Sequence, residues 1–189
     1  LKASADSILF RIRSVLATLW VLLLLVLADP WISLWSALAF LPGLLIRFWA
    51  QGFIGHQSRK RNITTDTLTT SGPYAIFRHP LYIGNGLLAA AGLILLRPHW
   101  ILICLTALGF LVIYLFVSKA EEHKMLERYG DKYETYRQRV TPLFPRRYIG
   151  SLFRGFNPDW ALSEYNTWIW VGLLYLLAFL RTLLPALAC

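Results

Sequence analysis

The chain has 189 residues, 57% hydrophobic and 15% charged, with a formal net charge of +9 and a mean hydropathy of +0.51. A water-soluble domain is poorer in apolar side chains and richer in charge, so the composition excludes an ordinary soluble globule and indicates one small all-α integral membrane domain over residues 1–189. The basic surplus does not call for a nucleic-acid partner: Lys and Arg gather in polar segments between apolar runs, where they set orientation and attract anionic lipid.

A start residue or a short leader is expected before Leu1. Arg11 and Arg13 precede the first apolar run in signal-peptide order, but no small-residue cleavage site follows, and Asp29-Pro30 reads as a hairpin turn. Five spans are predicted, at about 14–28, 31–50, 81–96, 100–117 and 168–184. Pro42-Gly43 breaks the second, which is tolerated where neighbouring helices satisfy the freed carbonyl. The spans are shorter than the roughly 20 residues that cross a bilayer, and aromatic flanks are expected to extend them. Arg97-Pro98-His99 is so short a turn that spans three and four must form an antiparallel hairpin.

The polar segments are 51–80 and 118–163. Together with the N-terminus and Arg47 they hold 17 of the 19 Lys and Arg, leaving only Arg97 and Arg181. Five spans put all three basic segments on one side, which the positive-inside rule makes cytosolic, with the C-terminus outside. The expected location is a bacterial inner membrane.

Two stretches carry chemistry. In the first, Thr70 to Gly84, Ser71-Gly72-Pro73 signals a turn. His79-Pro80 starts a helix, since the residue before a proline avoids the α region and a proline at the first helical position loses no bond. The free N–H groups of that helix start favour an anion. Tyr74, Arg78, His79 and Tyr82 surround it. The plain alternative is an interfacial anchor, where Arg, His and Tyr commonly lie.

In the second stretch, the fourth span runs on through Ser118 to Tyr129 in helix-forming residues and stops at Gly130. Asp131 with Glu134 reads as the cap of a further short helix. Leu126, Tyr129, Tyr133, Tyr136 and Val140 recur at helical spacing and need a surface to pack on, which a membrane-lying amphipathic pair would also supply. Pro142 and Pro145 end that face. Glu121 and Glu122 are adjacent carboxylates at the membrane edge, costly unless a cation is near; Arg78, Lys119, Lys124 or a ligand are the candidates. The hairpin brings the end of span four back beside the start of span three. Glu121/Glu122 and Arg78/His79 are therefore expected to be neighbours in a site suited to a zwitterionic cofactor and a lipid substrate. Cys104 and Cys189 have no metal or redox spacing, so no metal is expected. His56, His99 and His123 read as solvated or anchoring.

These residues resemble the isoprenylcysteine carboxyl methyltransferase and phospholipid methyltransferase group. The resemblance runs from about Arg47 to Tyr148. It rests on Gly72-Pro73-Tyr74, Arg78-His79-Pro80-Leu81-Tyr82-Ile83-Gly84, Glu121-Glu122, and Tyr129-Gly130-Asp131-Lys132-Tyr133-Glu134-Thr135-Tyr136 followed by Val140, Pro142 and Pro145. It implies S-adenosylmethionine as methyl donor, held by Tyr74, His79, Pro80, Tyr82, Gly84 and Glu121 or Glu122, with Arg78 and Glu121 as catalytic residues. The acceptor it implies is lipophilic, a prenylated cysteine carboxylate or a phospholipid. The fifth span looks like the extension of bacterial members. Membrane sterol reductases share an RHP-x-Tyr-x-Gly stretch and bind a nicotinamide cofactor. They are longer and carry Asp-Glu where this chain has Glu121-Glu122, which favours the transferase. A non-catalytic assembly factor on the same fold is the remaining alternative.

A carboxylate acceptor is already ionised at neutral pH and needs no general base, only alignment and dehydration. Arg78 would orient it bidentately. An amine acceptor would need a base, for which Glu121, Glu122 or His79 would serve.

Overall fold

The computed structural model describes residues 2–54, 68–142 and 152–187. The elements there are helical: α1 (Lys2–Leu27), α2 (Leu34–Leu38), α3 (Leu41–Ile54), α4 (Pro80–Leu96), α5 (Trp100–Tyr129), α6 (Asp131–Arg139), α7 (Pro158–Leu162) and α8 (Tyr165–Leu187), with a 3₁₀ turn at Gly72–Ala75. A single isolated bridge pairs Phe77 with Thr141. Leu34–Ile54, Trp100–Tyr129 and Pro158–Leu183 are long and apolar enough to cross a membrane; Val15–Leu27 and Pro80–Leu96 are apolar but shorter. Large apolar side chains such as Val26, Phe116 and Trp170 stand exposed on the outside. A surface of this kind suits lipid and not water. The protein is an all-α membrane protein.

Local chemistry sets the helix ends. Ser33 caps α2 through a reciprocal capping box with Ser36. The second predicted span breaks at Ala39–Phe40 and not at Pro42-Gly43, because Pro42 lies in the first turn of α3, where its missing N–H costs nothing. Arg97 turns left-handed (φ 49°) and its N–H closes on the Leu93 carbonyl, ending α4. His99 then accepts the Ile101 N–H and starts α5. As read from sequence, α5 continues past its apolar stretch and stops at Gly130, whose φ of 52° suits glycine. Gly130 also fills the cap position of α6. Asp131, expected to cap by its side chain, lies inside the first turn, and Glu134 instead accepts from Arg137 and Gln138.

The site is held by the packing of α3 on α4. A Cβ at Gly43 would approach the Gly84 carbonyl to 3.0 Å, and one at Gly84 would meet Cγ of Arg47 at 2.5 Å. Only glycines let the two backbones come so close, the small-residue logic of membrane helix pairs. Away from the polar ends, Leu24, Ala28, Phe40, Leu44, Leu95, Leu96 and Ala178 form the main core. Trp20 reaches across to donate to Thr106, tying α1 to α5.

A buried ion pair fastens α8 to this pair. By sequence alone Arg47 is one of the basic residues that flank the apolar runs. Here its Nη2 donates to both oxygens of Glu164, at 3.0 and 2.9 Å, and its Nη1 to Asn85. Thr167 donates to the same carboxylate. Glu164 is 2% exposed. A guanidinium tolerates this position because a planar bidentate partner replaces its water. Glu164→Gln should leave the Arg47 charge unpaired and cost about 3 kcal/mol. Thermal unfolding in detergent should show a clear fall in Tm, and Arg47→Met combined with Glu164→Leu should recover part of it. An unchanged Tm in Glu164→Gln would show that the pair does not hold α8.

Candidate active site

The site forms where the start of α4, the polar half of α5 and the end of α6 meet. Pro80 fixes the helix start, and His79 precedes it with φ −128° and ψ 61°, outside the α region as a residue before proline must be. On α5, eight charged or titratable residues follow Val117, so Glu121 and Glu122 lie beyond the stretch that hydrocarbon would accept.

Arg78 and His79 converge on one oxygen. Arg78 Nη1 donates to Glu122 Oε1 at 2.6 Å, and His79 Nε2 lies 3.2 Å from the same atom. An ionised carboxylate only accepts, so Nε2 carries the proton in that bond. His79 Nδ1 is 3.7 Å from Glu121 Oε2, while the Tyr82 hydroxyl donates to Glu121 Oε1 at 2.5 Å. The hydrogen bond from His79 holds the Glu122 carboxyl below the usual range, with Arg78 reinforcing it against the opposing effect of burial. Glu121 remains 46% exposed and faces solvent.

α6 fixes the loop that carries Arg78. Arg78 Nε donates to the Val140 carbonyl at 2.7 Å, its backbone N–H to Thr141 at 3.1 Å, and the Tyr136 hydroxyl to the Tyr74 carbonyl at 2.7 Å. Tyr133, Tyr136 and Val140 are buried, with Leu68, Met125 and Tyr129 against them. The tyrosine stripe thus packs on the 68–79 loop. Leu126, expected on that face, is exposed, and Met125 takes its place. Burial raises the Tyr133 and Tyr136 hydroxyls far above their usual pKa, so both stay neutral donors. Burial likewise pushes Tyr74 up, and its hydroxyl has no hydrogen-bond partner among the described residues.

Of the residues singled out by sequence, Arg78, His79, Tyr82, Glu121 and Glu122 come together in one cluster, with Tyr74 beside it through Tyr136. The cation that relieves the glutamate pair is Arg78. Pro80 is buried and shapes the helix start. Gly84 faces α3 under Arg47, on the scaffold side and not among the carboxylates. His123 pairs with Glu127 on an exposed turn, and His56 and Pro145 lie outside the described residues. Sequence reasoning missed Tyr114, Asn85 and Glu164. Tyr114 had one available signal: it precedes Glu121 by seven residues, hence on the same helical face.

A family model described as phospholipid methyltransferase matches residues 17–132. The chain belongs to this family. It is 32% identical over 131 residues to a nickel-cobalt-cadmium resistance protein of Alcaligenes xylosoxydans xylosoxydans, covering 67% of this chain and 56% of that protein. It is 35% identical over 109 residues to a cobalt-zinc-cadmium resistance protein of Cupriavidus metallidurans, covering 58% and 45%. A methanethiol S-methyltransferase of Bradyrhizobium diazoefficiens is 35% identical over 75 residues, 39% of this chain and 25% of that one. The chain thus spans about half the length, or less, of the curated relatives it matches. No solved structure matches it. Family membership makes this a membrane methyltransferase fold. The resistance-protein names belong to those relatives; among the described residues no group of three or more His, Cys, Asp or Glu could hold a metal.

Because the Glu122 pKa is lowered by folding, its stabilising contribution is complete above the unfolded value of about 4.3 and is lost as pH falls through the lower folded value. Wild-type Tm in detergent should therefore decline on acidification below about pH 4.3 more steeply than that of Glu122→Gln. Parallel profiles would show that the Arg78–Glu122–His79 contacts contribute nothing to the fold.

Proposed function

We propose that the chain transfers a methyl group from S-adenosylmethionine to a lipophilic acceptor at the membrane–water boundary. The observation that carries this reading is the convergence of Arg78 and His79 on Glu122, beside Tyr82 and Glu121, at the point where the apolar stretch of α5 ends. The residues fit a zwitterionic donor. Glu121 offers a half-exposed carboxylate, and the Tyr74 hydroxyl is buried without a partner among the described residues; the helix start offers less than the sequence suggests, since Pro80 has no N–H and those of Tyr82 and Ile83 donate to the His79 carbonyl. His79, Tyr82, Glu121 and Glu122 would hold the donor, with Tyr74 and Pro80 shaping the wall. The chemistry supplied there when S-adenosylmethionine is bound is an electrophilic methyl group.

The protein residues bind, orient and exclude water. Arg78 is committed through Nε to Val140 and through Nη1 to Glu122, so it fixes the carboxylate and the loop together. Its remaining donors would align an acceptor carboxylate of the prenylcysteine type. A phospholipid acceptor would meet the same guanidinium through its phosphate. Glu121 is the group placed to take a proton from an amine or thiol acceptor. On this reading α1 and α4 complete five crossings, with the site towards the cytosol where the basic flanks gather.

Calorimetry on the purified protein should show binding of S-adenosylmethionine and not of NADPH. His79→Ala and Glu122→Gln should each weaken it about tenfold, the scale of one charge-assisted contact, with the far-UV helical signal retained. A radiolabelled-methyl assay on host lipid extracts should then find an acceptor. Donor binding without any transfer would favour an assembly factor, and NADPH binding alone would favour a reductase.

A further inference from the structure

Tyr114 lies seven residues before Glu121 on α5, about 10 Å further into the apolar stretch. It is 6% exposed, and its hydroxyl has no hydrogen-bond partner among the described residues. Its ring meets that of Tyr82 at 5.7 Å and that of His79 at 6.3 Å, both edge to face. His79 and Tyr82 are themselves 5.7 Å apart, and Phe110 stacks behind Tyr114 at 6.5 Å. The three rings make one continuous wall. Its water-side rim carries Glu121 and Glu122, and within that cluster two carboxylates face one guanidinium.

Ring faces carry negative potential, and a phenolic oxygen offers lone pairs. Both attract a cation. An ammonium group would bring N–H donors that want several acceptors, which the apolar side of the wall does not offer. A sulfonium or a quaternary ammonium brings none and is stabilised by aromatic faces. We propose that Tyr114 is the onium-recognising wall of the site, its ring and unpaired oxygen favouring the positively charged sulfonium of the methyl donor over the neutral thioether left after transfer. This rests on the methyl-donor reading and adds to it a residue inside the apolar stretch. It also gives the site a means of releasing spent donor, since the charge that the wall recognises disappears with the methyl group.

The test is calorimetric binding of S-adenosylmethionine and of S-adenosylhomocysteine to the full chain in detergent. Tyr114→Leu, which removes ring and oxygen, should weaken the sulfonium ligand about tenfold and the thioether less than about twofold. Tyr114→Phe keeps the ring and should fall between, at about threefold for the sulfonium alone. Equal weakening of both ligands, or an unchanged ratio in both variants, overturns the inference while leaving the methyl-donor reading intact. Should Tyr114→Leu fail to fold, Tyr114→Phe decides by the same ratio. A wild-type protein that binds neither ligand overturns the methyl-donor reading and this inference with it.

Discussion

One carboxylate oxygen organises the polar end of the molecule. Glu122 Oε1 accepts from Arg78 and faces His79 Nε2, so α5 and the two residues that lead into α4 share a single atom. None of the three could move independently without leaving a partly buried charge unpaired, which is why the cluster is stiff. The other nitrogens of Arg78 extend the constraint to α6 through Val140. The cluster is thus pre-organised by its own charges.

Behind it lies a second polar knot of a different kind. Arg47, Asn85, Glu164 and Thr167 join α3, α4 and α8 on the far side of Gly84. Gly84 is the hinge between the two knots: its missing side chain lets Arg47 cross α4, and crossing α4 is what brings Arg47 to Asn85. The resemblance implies a binding role for Gly84, and its place against Arg47 gives it a packing role. Tyr82, two residues earlier on the same helix, points the other way, to Glu121. Tyr82 and Asn85, three residues apart and so neighbours on the helix surface, are tied to partners on different elements, and these two ties fix the rotation that aims Tyr82.

The cluster differs in its surroundings from end to end. Glu121 is open to water, while Tyr114 and Phe110 lie among apolar residues of α5. On the proposed methyl-transfer reading, a polar donor and a lipophilic acceptor would meet at the aromatic wall, with the acidic pair on one side of them. The family provides membrane methyltransferases, and the relatives include proteins named for metal resistance as well as for methanethiol methylation. The acceptor is therefore a matter for this chain's own chemistry.

Much of this was legible in the sequence because the signals are local or follow from counting. Apolar run lengths mark the apolar helices, three of them long enough to cross a membrane, His79-Pro80 and Gly130 mark helix ends by backbone sterics, and a three-residue turn forces the chain back, so the glutamate pair had to return to the Arg78-His79 stretch. What only the tertiary structure decided depends on rotation and on partners distant in sequence. Arg47 looks like any basic flank residue until Glu164, 117 positions away, reaches it. Glu164 is a single acid in a polar segment, with no spacing to mark it. Tyr114 is one aromatic in an apolar run, and run length says nothing of which face it occupies. Helix propensity and hydropathy act within a few residues; the pairing of buried charges and the placing of an unpaired hydroxyl arise only when helices pack.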